Sequence, residues 1–366
     1  MKKELVLHID HKNSEPLYKQ LKENIKEQII SGKLEEGIRI PSVEQMSKTL
    51  NISIQTVSQA IQELDEEGLI YCRRGKGIFI APKEKHAEAC KIKEVVFVLC
   101  NIEYPRLSYL RILSGVESEV IKQQLYLGYY NFNEQRSLSP FKSKNNIGMV
   151  LGGVITPNTL ETISKLSIPF VITGDLFKRE IEPGVTIIAD DDEGGAYLAA
   201  KHLIELGHRR IGLITDLRKY LWSNLQLKGF EKAHQEAKLT VDKKAVIESD
   251  DLWPESGYTA AKKLFQQSAS ITGLVVPSEN LTYGIVRYLK EKNIRIPADI
   301  SLVGKGSDYN SDILGIKLTR LETQAEQLGR TAVDMLLKYN TDKNGLFKRI
   351  TLPAKFFNGA STQKTK

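Results

Sequence analysis

Apolar residues recur every four positions near the start of the chain. Leu17, Leu21, Ile25 and Ile29 form one stripe, which predicts a helix over about Pro16–Ser31. Pro16 suits a first-turn position, where its missing N–H costs nothing. Gly32 supplies the stop. A second helix starts at Ser42, whose spacing to Gln45 fits a capping box; Val43, Met46 and Leu50 then face inward. A third starts at Ser53, a favoured N-cap residue. Val57, Ala60, Ile61 and Leu64 stand at i, i+3, i+4 and i+7, and Gly68 ends that helix. Two short helices separated only by Asn51 and Ile52, behind a longer one, describe a helix-turn-helix. Leu69–Tyr71 and Ile78–Ile80 then pair as strands around a basic tip, Arg73, Arg74, Gly75, Lys76 and Gly77. That is a wing.

The pattern changes near residue 85. The stretch 81–93 is polar and charged and reads as a linker. Beyond it, apolar runs alternate with amphipathic helical ones. The runs are Glu94–Cys100, Leu125–Asn131, Ile147–Ile155, Phe170–Thr173, Thr186–Ala189, Arg210–Thr215, Ala245–Glu248, Gly273–Val276 and Ser301–Val303. Such alternation predicts βα units with parallel sheets. Ligands of these sheets bind beyond the carboxyl ends of the strands. Those ends offer Tyr104, Phe132, Asp175, Asp190–Asp192, Asp216, Ser278, Glu279, Lys305 and Asp308. The end of the chain, Ser361–Lys366, reads as a polar tail.

Composition narrows the class. With 41% hydrophobic and 27% charged residues, the chain is neither disordered nor a coiled-coil rod. Val95–Cys100 and Met149–Ile155 are far too short to span a bilayer, so no membrane partner is expected. The start, Met1 to Leu5, lacks the apolar stretch of a signal peptide, and a cytoplasmic location is expected. Cys72, Cys90 and Cys100 lack metal-ligand spacing; no metal and no cofactor are expected. The net charge of +7 invites a nucleic-acid reading. However, the first 85 residues hold 14 Lys/Arg against 13 Asp/Glu, and the rest 38 against 32. No block is strongly basic, so a DNA argument rests on pattern.

That pattern is specific. The third helix exposes Ile54, Gln55, Ser58 and Gln59 opposite its core stripe. Gln pairs bidentately with adenine, Ser with either base, and an apolar side chain meets a thymine methyl. Ser42, Ser53 and Thr56 stand with the amides of the helix starts, where phosphates are held. Arg73, Arg74, Gly75 and Lys76 suit flanking backbone or a minor groove. Each feature alone is equally a solvated helix face or turn; their order points to double-stranded DNA. No catalytic constellation accompanies them. Gly-x-Ser-x-Gly, the long phosphate loop and His-Glu-x-x-His are all missing, and Gly75-Lys76-Gly77 is too short for a phosphate loop. The chain is not expected to be an enzyme.

Residues 16–81 resemble the winged helix-turn-helix domain of the GntR family. The match rests on Pro16-Leu17-Tyr18, Ile29-Ile30-Ser31-Gly32, Ile40-Pro41-Ser42, Thr56-Val57, Ala60-Ile61, Glu67-Gly68-Leu69-Ile70 and Arg74-Gly75-Lys76-Gly77-Ile78-Phe79-Ile80. Where that family often has arginine, this chain has Glu44, Ile54 and Ser58. From Val95 to about Gly359 the chain resembles the effector domain of LacI/GalR regulators, a periplasmic-binding-protein type 1 fold. The matching motifs are Ala199-Ala200-Lys201-His202-Leu203, Leu206-Gly207-His208-Arg209-Arg210-Ile211, Lys228-Gly229-Phe230, Ile296-Pro297-Ala298-Asp299-Ile300-Ser301-Leu302-Val303-Gly304 and Leu318-Thr319-Arg320-Leu321. The combination is similar to arabinose-responsive repressors.

The resemblance implies a multidomain protein: an N-terminal winged helix-turn-helix domain (1–80), a linker (81–93) and a C-terminal two-lobed α/β domain (94–360). Lobe one is expected at about 94–189 and 319–342, lobe two at about 190–318 and 346–358. It implies a homodimer on a DNA operator, controlled by a small carbohydrate effector. For the effector it implies Gln226, where sugar-binding members have arginine, and Trp253 as a stacking aromatic. Tyr104, Phe132, Asp175, Asp190, Ser278, Glu279, Lys305 and Asp308 join them by position. Asp190 reads more readily as a cap of the following helix than as a ligand contact, and Lys305 beside Gly306 and Ser307 suits an anion such as a sugar phosphate. A ligand-binding or scaffolding protein with a degenerate head remains the alternative.

Overall fold

The computed structural model describes residues 5–11, 13, 15–73, 76–82, 92–102, 107–133, 135–136, 138–141, 146–166, 168–174, 185–267, 270–339 and 349–365. Contacts divide the chain into two units, Met1–Lys93 and Glu94–Lys366. Most of the expected linker (83–91) lies outside the described residues.

In the first unit, α1 (Leu17–Ile30) is followed by β1 (Arg39–Ile40), α2 (Val43–Leu50), α3 (Ile54–Glu66), β2 (Ile70–Arg73) and β3 (Gly77–Ile80). The predicted stripes meet in one core: Leu21, Ile25 and Ile29 from α1, Met46 from α2, Val57, Ala60, Ile61 and Leu64 from α3, and Ile78 and Ile80 from the wing. Ser42 and Gln45 close the expected capping box. Asn51 takes the left-handed conformation (φ 51°) that ends α2 and turns the chain into α3. Ser53 caps α3 by accepting from the Thr56 amide. Lys22 on α1 is buried between Glu63 (2.8 Å) and Glu67 (3.0 Å) of α3. Burial works against its charge, yet those two carboxylates outweigh it and raise its pKa. The wing is three-stranded, in the order β1-β3-β2 and antiparallel throughout.

The second unit opens with β4 (Glu94–Cys100), α4 (Leu107–Lys122), β5 (Tyr126–Phe132), β6 (Ile147–Gly153), α5 (Pro157–Ser164), β7 (Phe170–Thr173) and β8 (Thr186–Asp190). It continues through α6 (Asp192–Glu205), β9 (Ile211–Thr215), α7 (Leu221–Glu236), β10 (Val246–Glu248), α8 (Pro254–Gln267), β11 (Gly273–Val275), α9 (Glu279–Glu291), β12 (Ser301–Lys305), α10 (Asp308–Leu314) and β13 (Thr319–Glu322). It closes with α11 (Ala325–Tyr339), β14 (Arg349–Leu352) and β15 (Lys355–Phe357). Two sheets result. Lobe one holds β14-β8-β7-β6-β4-β5, all parallel. Lobe two holds β10-β9-β11-β12-β13-β15, parallel except for the antiparallel pair β13–β15.

The chain therefore passes between lobes after Asp190, after Glu322 and after Leu352. This corrects two expected lobe segments. Residues 319–322 belong to lobe two, because β13 pairs with β12 there before α11 returns to pack on α4. Residues 349–352 belong to lobe one, because β14 pairs with β8. The end of the chain is not a loose polar tail. Ser361 is fully buried; its hydroxyl donates to Leu302 O (2.6 Å) and accepts from the Thr319 amide (2.7 Å), tying β12 to β13. Thr362 bonds His202 (3.0 Å), and the Gln363 carbonyl bonds His208 (3.1 Å).

Candidate functional site

Two surfaces carry the candidate residues. On the head, Ile54 (56% exposed), Gln55, Ser58 and Gln59 stand outward on α3, while Val57, Ala60, Ile61 and Leu64 are buried behind them. The core stripe thus fixes which side chains α3 presents. Ser53 Oγ and Thr56 Oγ1 lie 2.7 Å apart and satisfy each other at the helix start. Ser42 is engaged differently: its hydroxyl donates to Glu44 (2.7 Å). That bond holds the Glu44 carboxyl below the usual carboxylate range and sets a negative charge beside a hydroxyl expected at a phosphate.

In the wing, Tyr71 stacks on Phe79 (5.6 Å between ring centroids). The Arg73 guanidinium stands 5.3 Å from the Tyr71 ring and 6.0 Å from that of Phe79. A flexible cation is thereby given a fixed platform. Lys76 is exposed; Arg74 and Gly75 lie outside the described residues. Gly77 has φ 111°, and a Cβ there would sit 2.6 Å from Nε of Arg39. The glycine lets the exposed Arg39 lie across the wing strand, adding a third cation among the described residues to Arg73 and Lys76.

In the body, the carboxyl ends of β8, β9, β11 and β12 meet where the lobes join. Lys305 at the end of β12 reaches Asp190 (3.2 Å) at the end of β8 and Asp192 (3.6 Å) at the start of α6. Burial alone would lower the lysine pKa. Asp192 and Asp190, with Asp216 further off, outweigh it and raise the value. Asp190 also accepts from Thr323 (2.7 Å), so two interlobe passages are tied at one carboxylate.

The cap of α6 is Asp191, which accepts from the Gly194 amide (2.8 Å). Asp190 is left for the ion pair, which corrects its reading as a cap. Gln226 is 1% exposed, and its amide donates to Asp192 (3.0 Å) and to Pro277 O (3.1 Å). Its place is set by Gly229 three residues on, where a Cβ would collide with the backbone of Glu193 and hold α7 off α6. Asp216 accepts from Ser278 (2.9 Å) and from the indole of Trp222 (3.1 Å). The Trp222 ring stacks on Tyr220 at 4.2 Å. Two cavities open here, of about 10 Å³ beside Asp190, Pro277 and Thr323 and about 20 Å³ beside Arg111, Ser307 and Asn310. Each has room for about one water.

Comparison with known proteins agrees with this division. The gntR family of bacterial regulatory proteins matches residues 17–80, and the periplasmic binding protein-like domain matches residues 200–362. The chain is 27% identical over 342 residues to the arabinose metabolism transcriptional repressor of Geobacillus stearothermophilus, covering 88% of this chain and 91% of that one. It is 27% identical over 320 residues to the HTH-type transcriptional repressor PurR of Haemophilus influenzae (83% and 92% covered). The chain is a DNA-binding transcription regulator with a GntR-type head and a periplasmic-binding-protein-like body. It is not an enzyme. Two solved structures share its fold. One is the transcriptional regulator CelR–cellobiose complex, with TM-score 0.66, 18% identity and coverage of 88% of this chain and 99% of that one. The other is a LacI family transcriptional regulator from Enterococcus faecium with bound ribose, with TM-score 0.63, 22% identity and coverage of 74% and 100%.

Within the regulator, the structure brings Asp190, Gln226 and Lys305 into one network, and Ser278 into a second around Asp216. Glu279 accepts from Asn310 (2.7 Å) on the rim of the larger cavity. Asp308 is exposed and pairs with Arg320 (2.8 Å). Phe132 is a core residue, 3% exposed among the lobe-one apolar side chains, because the side chain at the end of β5 points into that layer. Trp253 is 42% exposed at the start of α8. Tyr104 and Asp175 lie outside the described residues. Arg39, Trp222, Ser223 and Thr323 were not singled out from sequence. Only Gly77 signals Arg39, and nothing local signals the others.

Proposed function

We propose that the regulator is a cytoplasmic homodimeric repressor. In this reading it holds a near-palindromic operator through α3 and the wing and changes its grip when a small carbohydrate-like effector seats between the lobes. The observation that carries the DNA part is the exposed Ile54, Gln55, Ser58 and Gln59 face, locked in place by the buried stripe behind it. Ser42, Ser53, Thr56, Arg73, Arg74, Gly75 and Lys76, with Arg39, complete the proposed interface. The names of the relatives and the sugars in the two solved structures support the effector part, with Asp190, Gln226, Ser278, Glu279 and Lys305 lining its place. The effector acts only through different affinity for the two states of the DNA-bound protein.

Pairing of two copies is supported by one apolar stripe. Leu110 (50% exposed) and Ile121 (68%) return to the same face of α4, and Tyr129 is exposed on the edge strand β5 beside it. The test is selection of bound duplexes from a random pool. One palindromic motif with half-sites about 10 base pairs apart, or a multiple, is expected. Recovery of background alone, with and without a pool of sugars, would sink the operator reading. The Glu44–Ser42 bond favours a second reading, a ligand-binding or scaffolding protein with a degenerate head. That reading requires duplex affinity almost independent of salt, whereas neutralising several phosphates gives a steep slope.

A further inference from the structure

The three places where the chain passes between the lobes are bonded to one another. The Thr323 hydroxyl, in the second passage, donates to Asp190 Oδ2 in the first (2.7 Å). The Asp191 amide of the first donates to Leu352 O of the third (2.9 Å). The Gln324 side-chain amide of the second donates to Pro353 O of the third (2.9 Å). Each passage holds the other two, so a change of angle at one has to be taken up by all three.

Lys305 reaches into this joint from lobe two. Val303 packs with Ala199, Leu203 and Phe230 in the core under α6 and α7. Side chains two apart on a strand share a face, so Lys305 rises past that core towards the start of α6. Its ammonium lies 3.2 Å from Asp190, at the lobe-one end of the first passage, and 3.6 Å from Asp192, at the lobe-two end. One cation therefore spans the passage. The anion that its position suggested would have to compete with Asp190. Arg111 of α4 also crosses the lobes, to Glu322 (3.1 Å), but the arginine is partly exposed, and such pairs contribute little.

The shape of the cleft follows from the same side chain. Lys305, Glu322 and Thr323 line both small cavities and so form the wall between them. With the lysine in place, neither cavity has room for a sugar. Lys305 and Thr323 both donate to Asp190 Oδ2. Oδ1 of the same carboxylate is buried without a hydrogen-bond partner among the described residues. One oxygen holds the lobes, and the other is left for a ligand.

We propose that Lys305 is a built-in latch: its ammonium holds the lobes together with no ligand present, and the effector enters by taking Asp190 from it rather than by closing an open cleft. The inference rests on the effector reading given above and adds how that site is regulated. Withdrawing one flexible side chain joins the two cavities and frees the three passages to move as a unit. The effector then shifts an existing population, and its apparent affinity is its intrinsic affinity multiplied by the unlatched fraction.

The experiment uses the full chain without ligand, read by hydrogen exchange. Asp190→Asn removes the charge that draws the lysine across the lobes, keeps an acceptor for Thr323 and leaves Lys305 its partner Asp192. Exchange in the passages (189–195, 320–325 and 350–355) is expected to rise about tenfold, the worth of one charge-assisted hydrogen bond, with β4, β6, β9 and β11 unchanged. Unaltered passages overturn the latch. A rise spread evenly over both sheets overturns it too, because that marks a loss of folding and not a parting of lobes. Thr323→Val removes no charge and should give a smaller rise in the same three segments; a rise in its own passage alone would show that the three do not move together.

Displacement is tested by calorimetry with Lys305→Met and a panel of pentoses, hexoses, disaccharides and their phosphates. A member that binds the parent should bind the variant about tenfold tighter, since nothing has to be displaced. Equal or weaker binding overturns displacement and leaves the effector reading standing. If Lys305→Met does not fold, Lys305→Gln, which keeps a donor for Asp192, is read in its place. If no member binds either protein, the effector reading falls and takes displacement with it, while exchange in the ligand-free protein still decides the latch.

Discussion

The reading face of the head and the joint of the body solve opposite problems. On α3 the candidate side chains are exposed and stand over a core that fixes their direction. Any of them is replaceable without disturbing the fold. In the joint, Asp190, Asp192, Gln226 and Lys305 are largely buried and serve as one another's partners. There the same groups hold the lobes and are the contacts proposed for the effector. The head can change its exposed face by surface substitution, whereas a substitution in the joint disturbs the partners of the group replaced.

The strongest way to break this contrast is Lys305→Met. Removing one partner of a buried ion pair typically costs about 3–5 kcal/mol, and hydrogen exchange should place the whole loss in the body. A loss below about 1 kcal/mol would show that the ammonium does not hold the joint. Gln55→Ala probes the other side. It should cost about 1–3 kcal/mol of discrimination at one operator position with the melting temperature unmoved, as read by competition between duplexes; unaltered discrimination would remove Gln55 from the reading face.

A third test separates reading from gripping. Arg73→Ala with Lys76→Ala should weaken all duplexes alike and reduce the salt slope by about 2, one for each phosphate left without its cation. A sequence-dependent loss would move the wing to the reading side.

The mildest test is acid. Burial lowers the pKa of His202, His208 and His234 below the ordinary value of 6.5, all three in lobe two. The unfolded chain then takes up these protons first, so stability is full above pH 6.5 and declines as pH falls through it. Denaturation followed from pH 8 to 5 should show the body weakening. A flat profile would mean the imidazoles take up protons as readily in the fold as in the unfolded chain.

Legibility followed the same division. The head's helices, caps and core stripe were readable because each rests on spacing within about ten residues. The strands β4 to β12 were readable as apolar runs. The last three strands were not: Thr319–Glu322, Arg349–Leu352 and Lys355–Phe357 are short and mixed, and they are strands because a partner lies beside them. Ser361–Thr365 looked like a tail because hydroxyls that satisfy backbone groups leave no trace in hydropathy. Asp190 and Asp191 are adjacent and identical, and only the turn of the chain decides which one caps α6. In the joint, Gln226, Ser278 and Lys305 were reached by position, but the bonds that give them meaning span 34 to 115 residues of chain. Arg39 escaped because its partner is a glycine's missing side chain.

The late strands have a consequence for how the protein is made. Neither lobe can finish its sheet before residues 349–357 have been synthesised, whereas the head has its whole core by residue 80. At about 5–20 residues per second, that interval is on the order of tens of seconds. During it, a nascent chain carries a complete head and an unfinished body, so an effector that seats between the lobes, as proposed, would have no finished site to enter.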